Sequence, residues 1–244
     1  MTVRSDTHSD RWTQAQKYER QWWSAYSGDY GWYRDFSREI TDAVAPFRPV
    51  TKDMVILEIG SGPAGGITYL DADRKYAVEP LEEYFGTLPE VRALRDPRVS
   101  YTAGRGEELP YGDRFFDLVI IDNVLDHCES PRRVLDEIDR VLKTGGIVFF
   151  RQNVYHRWGC FVRRLMEAVR LDRGHPHTFN PIFIEREFLK RSWNILSAAG
   201  TGYGRSWFGD IRSVIPKRLI KAALFVSADR VTYILSKSGS GEVI

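Results

Sequence analysis

Residues 55–67 read VILEIGSGPAGGI. Met54 to Ile59 is a short apolar run of the kind that forms a strand buried on both faces, and it leads directly into a glycine-rich turn. Gly60, Gly62 and Gly65 match G-x-G-x-x-G. In that pattern side chains are absent where a ligand must lie against backbone, and amides at the start of the following helix are free to donate. Glu58 interrupts the apolar strand. A buried carboxylate costs several kcal/mol unless something pairs with it, so a ligand carrying an ammonium or another cationic centre is the expected partner.

Outward from this strand, further buried runs occur at Tyr76 to Val78, Arg98 to Thr102, Leu118 to Ile121, Ile147 to Phe150 and Arg230 to Ser236. Between Ile121 and Ile147, SPRRVLDEIDRVLKTGG predicts a helix with Ser130 as N-cap, Pro131 at its first position, one apolar face, and Gly145 and Gly146 at its end. Short apolar runs alternating with amphipathic helices predict an α/β fold, a mostly parallel sheet with helices on both faces. Ahead of it, residues 11–45 hold a dense aromatic set broken by Ser27-Gly28-Asp29, which predicts two helices around a turn. PIFIEREFLKRSWNIL, residues 181–196, predicts another helix.

The 244 residues are 43% hydrophobic and carry a net charge of +2, which suits one large domain and gives no bulk electrostatic footprint of a nucleic-acid binder. Two cysteines, Cys128 and Cys160, have neither metal-ligand spacing nor the density of a disulfide scaffold, so a reducing, cytoplasmic setting is expected. The polar first ten residues carry no signal-peptide core, and no apolar run is long enough to span a membrane. Nothing in the sequence fixes an oligomeric state.

In an open α/β sheet, ligands bind beyond the carboxyl ends of the strands, where the strand order reverses. Glu79 ends the second run, nineteen residues after Gly60, about the separation at which an acid accepts hydrogen bonds from ribose hydroxyls. A nucleoside-containing cofactor follows. An NAD-dependent oxidoreductase could use the same loop and acid, but Glu58 inside the strand argues against a dinucleotide.

VILEIGSGPAG resembles the first motif of the class I S-adenosylmethionine-dependent methyltransferases, in which an acidic residue precedes the glycine loop by two positions. The resemblance continues through AVEP, residues 77–80, and GEELPYGDRFFDLVIIDNVLDHCESPRRVLDEIDRVLKTGGIVFF, residues 106–150. It implies a Rossmann-like, doubly wound, mostly parallel seven-stranded sheet with an antiparallel edge strand at the C-terminal end. It also implies S-adenosyl-L-methionine as cofactor. By that resemblance Glu58, Gly60 and Gly62 border the methionine moiety, with Ser61 and Ala64 lending backbone. Gly65 completes the loop, Glu79 holds the ribose hydroxyls, and Pro80 or Leu81 packs on the adenine. The loop at Gly106 and Glu107 caps the adenine, where many relatives have aspartate followed by alanine. Arg105 and Gly106 stand there instead, and an arginine cannot accept from the adenine amino group, so that contact passes to Glu107 or a backbone carbonyl. Asp122 and Asn123 face the methionine carboxylate and amine or the incoming substrate; the alternative for both is a satisfied turn.

A sulfonium methyl is already activated, so the protein chiefly aligns a nucleophile, excludes water and, for a hydroxyl, removes its proton. His127 in NVLDH adjoins the place where that methyl must lie, with structural and catalytic readings equally open. His175 and His177 flank Pro176 in an extended segment; a turn ahead of the next helix is the leading reading, a loop base or a substrate contact the next, and no third ligand at fixed spacing supports a metal. Tyr155 and His156 follow the fifth strand and are similarly placed.

Residues 1–50 are therefore expected to form an aromatic helical extension, either a lid over the cofactor or a layer packed on the sheet. Residues 51–244 form the methyltransferase domain, with a helical insertion at about 155–190. In HRWGCFVRRLMEAVRLDR, Trp158, Phe161, Val162, Leu165, Met166 and Val169 share one face ringed by arginines. Covering a core is the expected use of that face, ahead of peripheral membrane contact. The expected reaction is methyl transfer to a small-molecule or saccharide acceptor, through a hydroxyl, with no metal and no nucleic acid. A module that binds the cofactor without turnover is the alternative.

Overall fold

The structure, a computed structural model, describes residues 6–168 and 176–238. Two helices, α1 (Asp6–Ser24) and α2 (Trp32–Val44), precede β1 (Val55–Ile59). A single 3-10 turn, Gly66–Tyr69, leads to β2 (Arg74–Glu79), followed by two short helices, α3 (Glu82–Phe85) and α4 (Pro89–Leu94). Next come β3 (Val99–Ala103), β4 (Phe116–Asp122), α5 (Pro131–Val141), β5 (Leu142–Val154), α6 (Arg157–Ala168) and α7 (Pro181–Lys190). The chain then forms β6 (Trp193–Gly200), α8 (Tyr203–Ile211), α9 (Pro216–Ala223) and β7 (Asp229–Lys237).

The seven strands lie in the order β3-β2-β1-β4-β5-β7-β6. The first five pair in parallel, and β7 runs antiparallel to both of its neighbours. The sheet is thus the doubly wound, Rossmann-like one expected, and its C-terminal antiparallel strand lies one place inside the edge, with β6 outside it. The order reverses between β1 and β4, which puts a crevice beyond their carboxyl ends.

Strand alternation sorts the core into two layers. Leu57, Ile59, Val119, Ile121, Val148 and Phe150 pack with α5 and α7 through Val134, Ile138 and Phe188. Ile56, Leu118, Ile120 and Phe149 face the other way, onto Phe36, Ile40 and Val44 of α2. That α2 triplet is spaced four residues apart, one stripe of the helix, and burying each ring or branched side chain contributes roughly 1.5–3 kcal/mol. The same period of two puts Glu58, Asp122 and Arg151 on the α2 side of the sheet. Three charged groups thereby converge beneath one helix at the strand ends.

Three local expectations change. The helix at 181–196 stops at Lys190: Ser192 takes a left-handed φ of 55°, and Trp193 opens β6, buried, its indole N–H donating to Asp139 Oδ1 at 2.7 Å. α5 stops at Val141, before the two glycines, because Leu142 turns extended to pair with Phe116 as β5 begins. Ser130 makes no side-chain cap; Glu107 Oε1 instead accepts from the amides of Glu129 (2.7 Å) and Ser130 (3.0 Å) ahead of α5.

α6 is inverted relative to expectation. Arg163 is 6% exposed, its guanidinium over the Tyr155 ring, whereas Trp158, Phe161 and Leu165 are each 53% exposed. Tyr155 and Cys160 are buried beside that arginine. A helical stripe specifies which residues share a face, and here the contacts turn that face outward. Val169 lies outside the described residues.

Candidate active site

Glu58 is the fourth residue of β1, buried in the sheet, and the glycine turn that follows receives its carboxylate. Oε1 accepts from the Gly66 amide at 3.3 Å and Oε2 from the Ile67 amide at 2.8 Å. Those amides are therefore spent on the acid and not held open for a ligand, which corrects the expectation from the motif. Gly65 has φ 74°, and a Cβ there would stand 2.4 Å from Glu58 Oε2, so glycine at 65 is required by the acid it covers. Burial pushes the Glu58 carboxyl up to about 8 in spite of both amides, with the Asp122 charge adding to the rise.

Glu79 ends β2 in a similar state. Its Oε2 accepts from the Gly62 amide at 2.9 Å and its Oε1 from the Leu81 amide at 3.0 Å. Burial still pushes it up to about 7. Two carboxyls at neighbouring strand ends are therefore short of compensating donors and positive charge, and each oxygen retains a further lone pair. A ligand bringing hydroxyl donors and a cationic centre fits that deficit.

Both acids line a cavity of about 600 Å³ beyond β1 and β4, a volume in the range of small-molecule sites. Gly60, Ser61, Gly62, Pro80, Gly106, Glu107, Asp122, Asn123 and His127 also line it. Gly65 lies behind Glu58 and does not. Tyr155 does not reach this cavity, since the chain after β5 turns away and buries it against Arg163. His175 lies outside the described residues. His177 donates from Nε2 to the Cys128 carbonyl at 3.0 Å, which ties down the loop after β4 and makes it an anchor of that loop. His156 Nε2 lies 2.8 Å from the Phe225 carbonyl, away from the cavity.

Asp122 and Asn123, at the end of β4, are more committed than expected. Asp122 takes a two-pronged bond from Arg151, Nε–Oδ1 and Nη2–Oδ2 both 2.7 Å, and Arg151 Nη1 reaches Glu39 Oε2 of α2 at 2.6 Å. Asn123 holds a left-handed φ of 53° while its Oδ1 accepts from Gln152 Nε2 and the Asn153 amide, each at 3.0 Å. Its side chain serves the turn. Glu107 likewise gives Oε1 to the loop before α5, as described, while its Oε2 lies 3.8 Å from Arg105 Nε. Arg105 pairs with Glu129 and lies over the Trp12 ring, 4.0 Å from its centre. The unusual arginine thus pins α1 across the cavity.

Sequence reasoning had not placed α1 and α2 here with specific partners. Trp12, Gln16, Glu19, Trp22 and Trp23 of α1 and Trp32 and Tyr33 of α2 line the cavity. Tyr33 donates to the Ser61 carbonyl at 3.2 Å. Glu19 Oε1 accepts from Trp23 Nε1 at 3.1 Å, and its Oε2 lies 3.9 Å from His127 Nδ1, whose Nε2 is 3.9 Å from Asp126 Oδ2. The dense aromatics were the only sequence signal for this wall. Among the described residues, no group of three or more His, Cys, Asp or Glu is placed to hold a metal ion.

Residues 57–150 match the sequence profile of a family described as a methyltransferase domain. An uncharacterized methyltransferase of Mycobacteroides abscessus is 31% identical over 103 residues, covering 41% of this chain and 40% of that one. A thiol S-methyltransferase of Rattus norvegicus is 30% identical over 123 residues, 48% of this chain and 50% of that one. The chain thus spans half or less of the length of these curated relatives. Among solved structures, YcgJ from Bacillus subtilis has a TM-score of 0.59 at 14% identity, covering 83% of this chain and 99% of that one. A geranyl diphosphate C-methyltransferase from Streptomyces coelicolor, solved with S-adenosyl-L-homocysteine, has a TM-score of 0.62 at 10% identity, covering 87% and 86%. With the profile match, the strand order and the acid-glycine turn in agreement, residues 57–150 form a methyltransferase domain of the class I, S-adenosylmethionine-dependent kind.

Proposed function

We propose that this protein uses S-adenosylmethionine to methylate a small molecule, a saccharide among the candidates, at a hydroxyl group. The observation that carries the cofactor is the pair of buried, under-compensated carboxyls, Glu58 and Glu79, on either side of the glycine turn at the strand-order switch. Glu79, with free lone pairs beside the Gly62 amide, is the group for two ribose hydroxyls. Glu58, with Asp122 on the same face of the sheet, supplies negative potential toward a cationic amino-acid portion. The backbone of Gly60 to Gly62 lines the cavity, and Pro80, Gly106 and Glu107 border the base-binding end. When bound, the cofactor supplies an electrophilic methyl carried on a sulfonium.

His127 is the residue we assign as base. It lines the cavity and has a carboxylate 3.9 Å from each ring nitrogen, Glu19 on one side and Asp126 on the other. Neither separation is a hydrogen bond, but both charges stabilise the imidazolium that forms when the ring takes a proton from an acceptor hydroxyl. The indoles of Trp22 and Trp32 offer flat apolar surfaces on the same cavity, the kind on which a sugar face packs. As a lid, α1 and α2 exclude water from that space, which lowers the local dielectric around the transferring group.

Calorimetry with S-adenosylmethionine and with NAD tests the cofactor; binding of NAD alone overturns the reading. Transfer of labelled methyl across a pool of sugars, phenols and thiols tests the acceptor. Labelling of thiols alone, in keeping with the Rattus thiol S-methyltransferase, replaces the hydroxyl and leaves the cofactor reading in place. Tight cofactor binding with no labelled product from any pool identifies a non-catalytic binding module.

A further inference from the structure

The apolar face of α6 that the fold leaves outside is not isolated. Trp158 Nε1 donates to the Leu224 carbonyl at 3.1 Å, which joins α6 to the end of α9. Phe225, in a left-handed φ of 54°, stacks on Trp207 of α8 with ring centres 5.5 Å apart. Trp158 also packs on Phe161, and α9 with the turn before it adds exposed Val214, Ile215 and Ile220, with Val214 94% and Ile220 60% exposed. Large aliphatic and aromatic groups gathered in one exposed patch mark a docking surface rather than random surface composition.

Its charge is one-sided. α6 contains Arg157, Arg163 and Arg164 against the single acid Glu167, with Arg163 turned inward, and residues 203–226 contain Arg205, Arg212, Lys217, Arg218 and Lys221 against the single acid Asp210. Asp210 is buried and bonded to Arg218 Nε at 2.9 Å. A chain whose net charge is only +2 therefore concentrates positive charge here. Two copies meeting through this face would set basic groups against basic groups, which opposes a symmetric dimer. A nucleic acid would use the charges but would have no use for Val214, Ile220 and Phe161 standing into solvent. A surface with anionic groups above an apolar interior uses both.

We infer that the α6–α8–α9 face is a docking surface for an anionic membrane: the apolar side chains enter the headgroup boundary and the arginines and lysines meet lipid phosphates. None of the described helices is long and apolar enough to cross a bilayer, so the contact is peripheral. α6 follows the carboxyl end of β5, and α8 and α9 connect the end of β6 to the start of β7. Because β6 and β5 both run antiparallel to β7, all three helices emerge at the end of the sheet where the cavity opens. Docking sets the cavity mouth beside the bilayer.

Co-sedimentation of the full chain with phosphatidylcholine vesicles, with and without about 30% phosphatidylglycerol, tests this at about 0.1 M salt. Binding to the anionic vesicles and little to the neutral ones is expected, weakening as salt rises. The exposed substitutions Phe161→Ser with Ile220→Ser, and separately Lys217→Gln with Arg212→Gln, are each expected to weaken vesicle binding about tenfold or more. An unchanged thermal midpoint and unchanged S-adenosylmethionine affinity show that the variants are folded. Absence of binding to anionic vesicles, equal binding to both kinds, or a concentration-dependent dimer in analytical ultracentrifugation that the apolar double substitution abolishes would overturn the inference.

Discussion

Glu58 Oε2 accepts the Ile67 amide at 2.8 Å, so the strand's only acid is folded back onto the turn that follows it. Even so, the carboxyl is pushed up to about 8, and Glu79 to about 7, from an ordinary 4.5. Folding raises the proton affinity of both groups. Their contribution to stability is complete below pH 4.5 or so and drains away as pH rises through 7 and 8. The thermal midpoint of the ligand-free protein is expected to fall by roughly 5–10 °C between pH 5 and 8.5, and Glu58→Gln to flatten the upper part of that fall. Differential scanning calorimetry across the pH series reads both; a flat profile in the native chain excludes the deficit.

Cofactor binding should move the other way with pH. A cationic ligand selects the ionised form of Glu58, so S-adenosylmethionine affinity is expected to rise from pH 6 to 8. Glu58→Gln removes that dependence and weakens binding about 10–100-fold. Titration calorimetry at three pH values checks it.

Gly65→Ala forces a Cβ to within 2.4 Å of the Glu58 carboxylate at a φ of 74°. A loss of about 2–4 kcal/mol is expected from combined strain and displacement of the acid, read as a drop in chemical-denaturation midpoint. Gly112, which has open space at its Cβ position, is the control: Gly112→Ala is expected to stay within about 0.5 kcal/mol.

His127→Gln keeps the volume of the ring approximately and removes the base. Turnover on a hydroxyl acceptor is expected to fall by about 10²–10⁴, with cofactor affinity within about twofold. Glu19→Gln, acting through the histidine, should lower the rate less and leave cofactor affinity unchanged. Loss of cofactor binding in His127→Gln would reassign the histidine to structure.

Arg105→Ala releases both Glu129 and the Trp12 ring. The cation-π contact and partly exposed ion pair together stabilise the closed position of α1 by about 1–2 kcal/mol. Faster amide exchange throughout α1, with the sheet unchanged, is the expected result in hydrogen-exchange mass spectrometry.

The reading from sequence succeeded where one short segment carries the whole signal. Val55–Ile59, the glycine turn and Glu79 announce a strand, a bend and an acid by local pattern, and the sheet follows from repeating that pattern. It failed where a partner comes from elsewhere in the chain. No spacing shows that Arg151 will take Asp122, that Arg105 will take Trp12, or that Glu19 will face His127, because those pairs form only once separate elements pack. The stripe on α6 shows a third limit: periodicity identified the face, but the burial of Arg163 on Tyr155 determined its direction. At Trp193 the helical pattern ran on past a left-handed serine, and strand pairing with β7 overrode it.

Arg151 also couples the front helices to the sheet. One guanidinium joins Asp122 of the sheet to Glu39 of α2 and lies over the Phe36 ring at 4.2 Å. Replacing the front helices by others without an acid at position 39 would remove one of that arginine's two carboxylate partners and the ring beneath it, leaving the Asp122 pair alone. One guanidinium thus ties the position of the aromatic front to the strand ends, so a change that displaces α2 is felt at Asp122 and with it at the floor of the cavity.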